Sequence, residues 1–325
     1  MDSHSDNALP FGFRIVGDCR NDRRLIDWPS AFLAYSECDE RAETDRESYL
    51  SAFCFGGEFA ELLNRTGSTR GYSGVCWSPW LWFDIDRDEI GAATADARRL
   101  AAMLVERFSM TGDELPVFYS GSKGFHIGLP TGLWQPAPSN LFHLHCRRFA
   151  EQLARVANVA IDSGVYDRVR AFRAPNSRHS KTGRYKRILT LDELLMLKPS
   201  RIIELASDPM PFEMPAGFKP NPQAVRDWQQ VVDDVERQQV VAVERRQTGV
   251  CPSSLNRSTL EFLRDGATTG DRHRRLFSAA ANLAEFGCSS ELAFVLLSES
   301  ALDSGLPPSE VRRQIECGLN HRGAQ

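Results

Sequence analysis

Two aspartates one residue apart, Asp84 and Asp86 in Trp82-Phe83-Asp84-Ile85-Asp86, interrupt a stretch that otherwise reads as a buried strand. Side chains alternate faces along a strand, so positions i and i+2 point the same way and lie close together. Two carboxylates held like this repel each other, and the repulsion grows as water is excluded. A divalent cation relieves it, as does a raised pKa on one of the pair. The pair therefore reads as a metal site. Taken alone it fits nucleotide-sugar glycosyltransferases, phosphoryl-transfer enzymes and accidents of exposed turns alike.

Two further patches narrow the chemistry. In Tyr119-Ser120-Gly121-Ser122-Lys123-Gly124-Phe125-His126, two glycines and two serines suit a hairpin turn whose backbone N–H groups can approach phosphate oxygens. Lys123 adds a point charge with three donors, suited to a triphosphate. His126 opens the return strand, where its ring can reach the same anion. The bland alternative is an ordinary Gly/Ser hairpin with a surface lysine. Downstream, Asp162 ends a short apolar run much as Asp84 does, ahead of Arg173-Ala174-Pro175-Asn176-Ser177-Arg178-His179-Ser180-Lys181-Thr182-Gly183. Three carboxylates suffice to hold two divalent ions about 4 Å apart, and Arg173, His179 and Lys181 could neutralise a triphosphate or a template backbone. Asp162 alone reads equally well as a turn aspartate before Ser163-Gly164. The stretch 168–187 carries eight Lys or Arg residues and no Asp or Glu, a basic strip or a solvated loop.

In this order the three patches resemble the motifs of the archaeo-eukaryotic primase superfamily, the primase-polymerases. Those motifs are a strand with DxD, an SGxxGxH hairpin, and a third aspartate followed by (R/K)xPxSxHxKTG. The resemblance covers roughly residues 75–190, and its motifs are specific in combination. It implies that Asp84, Asp86 and Asp162 are catalytic and ligate Mg²⁺ or Mn²⁺. It further implies that Ser120, Ser122, Lys123, Gly124, His126, Arg173, Ser177, His179 and Lys181 lie where the incoming nucleoside triphosphate binds. Arg168, Arg170, Arg178, Arg184, Lys186 and Arg187 are candidate contacts to nucleic acid. The chain departs from many relatives in lacking a Cys/His zinc element near these motifs, so no zinc is expected.

The elements that must position these residues follow from periodicity and punctuation. Residues 8–80 mix short apolar runs with turns, and 46–63 reads as a helix. A strand is expected over 80–86. A helix over 92–110 ends at a Thr111-Gly112 cap. Strands over 116–120 and 125–129 flank the Gly/Ser turn, followed by an amphipathic helix over 141–156 and a short strand over 159–162. This succession describes α+β architecture, a small sheet covered by helices. The resemblance makes it a primase catalytic core with small mixed or antiparallel sheets, part of it RRM-like, before an all-α C-terminal bundle. Four prolines within 206–220 mark a break, 224–247 reads as a connecting helix, and Cys251-Pro252-Ser253-Ser254 as a second break. Helices are expected over 258–264, 271–286, 290–301 and 309–318, with Asp271 and Ser290 as starts. The expected domains are thus 1–208, a connector 209–250, and 251–325. The tail resembles the helical modules appended to plasmid and phage primases, which makes Arg272, His273 and Arg274 candidates for DNA contact.

Composition sets outer bounds. The chain has 325 residues, 42% hydrophobic and 25% charged, an ordinary globular profile. No apolar stretch approaches the ~20 residues of a membrane span. The polar start Met1-Asp2-Ser3-His4-Ser5-Asp6-Asn7 lacks the features of a signal peptide, so a cytoplasmic location without membrane association is expected. A net charge of −4 does not advertise nucleic-acid binding overall. Eight cysteines include no CxxC pair and read as reduced, mostly buried thiols; His143, His145 and Cys146 read as helix surface and core.

The sequence therefore predicts a DNA primase or primase-polymerase that makes primers on single-stranded DNA from NTPs, dNTPs or both. The setting would be plasmid, phage or other mobile-element replication, with a replicative helicase as a candidate partner. A DxD glycosyltransferase explains Asp84 and Asp86 but leaves Asp162 and the Lys181-Thr182-Gly183 segment without a role. A non-catalytic replication initiator has no need of three clustered carboxylates.

Overall fold

The structure, a computed structural model, describes residues 9–248, 254–268 and 270–320, with the side chains of 241–248 excepted. The chain is α+β and divides into two compact units, Met1–Glu236 and Arg237–Gln325. The first holds two antiparallel sheets. One orders its strands β5-β4-β1-β3-β9, built from β1 (Phe11–Val16), β3 (Ser48–Ser51), β4 (Cys54–Phe55), β5 (Cys76–Trp77) and β9 (Ala171–Arg173), with β2 (Arg24–Asp27) also paired to β1. The other orders β10-β7-β8-β6, from β6 (Trp80–Asp86), β7 (Val117–Tyr119), β8 (Gly124–Pro130) and β10 (Arg187–Leu189).

The second sheet is built around the aspartate strand. Seven residue pairs join β6 to β8 in register, from Trp80 opposite Pro130 to Asp86 opposite Gly124. Leu81, Phe83 and Ile85 are fully buried on one face, beneath α3 (Ile90–Phe108) and α4 (Phe142–Val156), both of which touch β6. The opposite face presents Trp82, Asp84 and Asp86, and there Trp82 packs on Phe118 of β7 and Phe172 of β9, ring centroids 6.0 and 5.7 Å apart. The face carrying the aspartates thus turns toward the first sheet. Gly124 is dictated by that strand pairing: a Cβ there would stand 2.4 Å from the Ile85 carbonyl oxygen.

Several expectations need correction. The stretch 46–63 is not one helix; β3 and β4 occupy its first part, and only α2 (Gly57–Thr66) is helical. Leu50, Phe53, Cys54 and Phe55 are all buried, and pairing of β3 and β4 on either side of β1 overrides their helical spacing. The helix α3 stops at Ser109, in the left-handed conformation with φ 51°, two residues before the expected Thr111-Gly112 cap. Residues 159–162 form no strand: Asp162 N–H donates to Asp84 O at 2.8 Å, a single bond rather than a ladder. The unpredicted elements include β1, β2, α1 (Trp28–Ser36), α5 (Leu191–Met196) and α6 (Pro199–Leu205).

The domain limits also shift. The proline-rich stretch does not end the first unit but lies along it: Phe212 N–H donates to Ser36 O, and Phe218 packs edge-on against Trp80 at 5.8 Å. The helix α7 (Pro222–Thr248) begins inside this unit with Ala224, Trp228, Val231 and Val235 buried, and the unit boundary falls within it at Glu236/Arg237. Aromatic anchors account for the difference, because prolines break helices without preventing burial. The expected break at 251–253 lies outside the described residues.

The second unit packs α8 (Arg257–Asp265), α9 (Arg272–Glu285), α10 (Ser290–Asp303) and α11 (Pro308–Leu319) around Phe262, Leu276, Leu283, Leu297 and Ile315. All four predicted helices are present. Their caps differ in detail: Ser289, not Ser290, accepts the N-cap bond from Leu292 N–H, and Asp271 engages Arg274 instead of the backbone.

Candidate active site

Asp84 and His126 stand opposite each other in the β6–β8 ladder, with His126 Nε2 3.5 Å from Asp84 Oδ1. Burial pushes Asp84 up to about 7, and the charges of Asp162 and Asp86 push the same way against Lys186 and Arg170. Burial likewise holds His126 well below the usual imidazole range, helped by Lys186 and Arg173, so its ring is neutral. Asp86 is exposed at the strand end. Asp162 reaches the pair from another part of the chain through its backbone bond to Asp84 O, and its side chain is half exposed. One of its carboxylate oxygens accepts from Gly164 N–H at 2.8 Å, and the other faces Arg170 at 3.9 Å. Asp162 is therefore both a turn aspartate and a neighbour of the acidic pair.

The Gly/Ser hairpin adjoins this edge. Ser120 closes it twice, its N–H donating to Gly124 O and its Oγ accepting from Gly124 N–H. Gly121 has a φ of 86°, open to glycine at no steric cost. Tyr119 Oη donates to the Ser122 carbonyl. Lys123 is exposed, 3.4 Å from Asp88.

The basic segment crosses from one sheet to the other, leaving β9 at Arg173 and entering β10 at Arg187. Between them the chain doubles back at an Arg178–Tyr185 bridge. At the tip Thr182 Oγ1 donates to the Gly121 carbonyl at 2.5 Å, so the hairpin and the basic loop form one surface. His179 is half-buried and turns Nδ1 inward to accept from Lys181 and Thr182 N–H; burial and nearby Arg173 lower its pKa. Lys181 and Arg178 are exposed, and Arg184 is anchored on Ser207 Oγ. Arg173 donates to Glu47 at 2.9 Å and lies against the Tyr49 ring, while its second amino group is buried without a partner. Glu47, Tyr49 and Asp88 belong to the site yet carry no sequence signal, since they come from segments outside the three motifs.

Two expected contacts fail on burial, and a third is spent on carbonyls within the protein. Lys186 is 1% exposed and cannot reach nucleic acid. Its ammonium donates to Arg173 O at 2.8 Å and lies 4.4, 4.9 and 5.4 Å from the rings of Phe172, Phe118 and Trp82. It lies on the aspartate side of the sheet among these rings, with burial pulling its pKa well down and Asp84 opposing that pull. Ser177 is fully buried and donates to Ala174 O, which leaves no hydroxyl for a nucleotide. Arg168 spends its guanidinium on the carbonyls of Tyr72 and Asn140. Arg170 is exposed and Arg187 half-buried.

In the second unit, Arg272 donates to Gly305 O at 3.0 Å, His273 lies 3.7 Å from Glu310, and Arg274 pairs with Asp271. His145 and Cys146 are core, as expected, with His145 edge-on to Trp228.

Among the described residues no three His, Cys, Asp or Glu side chains form a ready metal cage. The donor chemistry of Asp84, Asp86 and Asp162 still suits a hard divalent ion: three carboxylates, one of them held up to about 7 with like charges among the causes. Among the described residues no helix is long and apolar enough to cross a membrane.

The chain matches no family model and no curated protein sequence. Among solved structures it is similar to one described as "Crystal structure of primase RepB'", with 14% identity and a TM-score of 0.35 over 96% of this chain and 90% of that one.

Proposed function

We propose that the chain is a primase-polymerase that joins nucleotides on a single-stranded DNA template. The observation that carries this reading is the meeting of three sequence-distant patches on one side of the first unit. Asp162 is bonded to Asp84, and the basic loop is bonded to the glycine hairpin through Thr182 and Gly121. A carboxylate set beside a cationic, glycine-lined surface suits a nucleoside triphosphate: the acids hold cations and the basic groups hold phosphates.

In this reading Lys123, Lys181 and Arg184 receive the triphosphate with the hairpin N–H groups, and Arg173, steadied by Glu47, turns its unpaired amino group to the same anion. His126 stays neutral and orients Asp84. Mg²⁺ or Mn²⁺ bound by Asp84, Asp86 and Asp162 would activate the primer 3′-hydroxyl and stabilise departing pyrophosphate. Arg170 and Arg178 line the approach of the template, and Arg272, His273 and Arg274 remain candidates for a second DNA contact. A replicative helicase is the natural protein partner for such an activity.

The decisive experiment is de novo synthesis on single-stranded DNA with labelled ribo- or deoxyribonucleotides, with Mg²⁺ or Mn²⁺, beside an Asp84→Asn/Asp86→Asn control. Products absent from the control support the proposal. Failure with every nucleotide, or turnover of nucleotide-sugars instead, refutes it.

A further inference from the structure

The segment that delivers Asp162 is not part of either sheet. Between α4 and Asp162 it runs through Asn158, which has a φ of 53°, and its backbone meets β6 through the bond from Asp162 N–H to Asp84 O. A carboxylate on such a segment needs another restraint if it is to share ligands with a strand. Asp96, on the second turn of α3, supplies one.

Asp96 is nearly buried, its side chain 12% exposed, and each of its carboxylate oxygens takes one arginine: Arg87 on one, Arg99 on the other. Both arginines also hold the Asp162 segment. Arg87 donates to Ala160 O at 2.6 Å and Arg99 to Asn158 O at 3.3 Å. Arg87 directly follows Asp86, and its other amino group donates to the Asp86 carbonyl at 2.6 Å. A single carboxylate thus ties the end of the DxD strand, the helix above it and the chain leading to the third aspartate.

We infer that Asp96 is a positioning residue that sets the distance between Asp162 and the Asp84/Asp86 pair by locking Arg87 and Arg99 onto the carbonyls of residues 158 and 160. The inference rests on the proposed role of the three aspartates for its function, though not for its geometry. A buried carboxylate shared by two guanidiniums fixes both in orientation, because each charge-assisted bond is directional and shielded from water. Groups that orient metal ligands from behind contribute typically 10–100-fold to affinity or activity.

The exchange experiment uses the whole chain without added metal. Amide hydrogen exchange of residues 159–164 in Asp96→Asn should be at least about 10-fold faster than in the unmodified chain, while residues 125–129 of β8 are unchanged. Mn²⁺ titration of the same variant should show about 10-fold weaker binding. Unchanged exchange in 159–164 in a folded variant would overturn the inference, as would unchanged Mn²⁺ affinity where the parent protein binds the ion. Should Asp96→Asn not fold, Arg99→Ala decides: it removes the arm to Asn158 together with its bond to Asp96, from a half-exposed position, and leaves Arg87 in place; about 3-fold faster exchange is expected, with no change overturning the inference. Failure of the parent protein to bind Mn²⁺ would count against the proposed function instead, and the exchange result would still decide on Asp96.

Discussion

His126 and Asp84 face each other across the β6–β8 ladder at 3.5 Å, a neutral imidazole against a carboxyl poised near neutrality. The pairing follows from register, because the residue opposite Asp84 on an antiparallel neighbour shares its face. Any change that slips β8 by one residue would send His126 into the core beneath α3.

The raised Asp84 gives a signed pH dependence. Its folded pKa of about 7 lies above the ordinary carboxylate value of about 3.9, so its stabilising contribution is complete below about pH 4 and is lost as pH rises through 7. In EDTA, Asp84→Asn should match the parent near pH 4 and exceed it by several degrees in Tm at pH 8. Mg²⁺ should close that gap by stabilising the parent alone. Parallel Tm-versus-pH curves would show that Asp84 is not under strain. Primer synthesis by the variant should fall by roughly 10²–10³-fold or more.

Lys186→Met keeps the stem of the side chain among Phe172, Phe118 and Trp82 and removes its charge. Asp84 then loses the Lys186 charge that works against its raised pKa, so the acidic limb of the activity profile should move to higher pH by about one unit. Lys186→Ala should instead cost about 2–4 kcal/mol in urea unfolding through the cavity it leaves. An unmoved acidic limb in Lys186→Met would remove the lysine from the chemistry.

Gly124→Ala places a methyl group 2.4 Å from the Ile85 carbonyl oxygen, against backbone that cannot rotate away. The strands must part at the Asp86 end. We expect a loss of about 2–3 kcal/mol in denaturant unfolding together with loss of activity. A variant of full stability would show that β6 and β8 are not held this close.

Template binding should be electrostatic and distributed over the exposed loop. Arg170→Ala and Arg178→Ala should each lower the slope of log K against log salt by about 1 and weaken binding evenly across sequences. Arg168→Ala should leave that slope unchanged and lower stability, since its guanidinium is bonded to Tyr72 and Asn140 carbonyls. Fluorescence anisotropy on single-stranded oligonucleotides over a range of salt concentrations measures both.

The α+β class, the DxD strand, the Gly/Ser hairpin and the four C-terminal helices were legible in the sequence. Each rests on local pattern: an apolar run of strand length, a turn bounded by glycines, or an amphipathic repeat. Residues 46–63 were not legible, because Leu50, Phe53 and Cys54 fit a helical spacing as well as a strand–turn–helix, and only pairing with β1 and β9 decides between them. Lys186 was hidden for the opposite reason. A lysine in a run of arginines reads as solvated, and nothing local signals three aromatic rings arriving from β6, β7 and β9. Asp96 lay on a helix with every appearance of an exposed acid.

The position of β9 in the first sheet sets the order in which this protein can mature during synthesis. Its strand β3 pairs with β1 on one side and with β9, Ala171–Arg173, on the other. Some 120 residues separate β3 from β9. At roughly 5–20 residues per second, β3 waits about 6–24 s with one edge unpaired. An open edge of that kind is where nascent chains mispair with one another. The same strand carries Arg173 beside Glu47 and Tyr49, so that corner of the candidate site is completed late in synthesis.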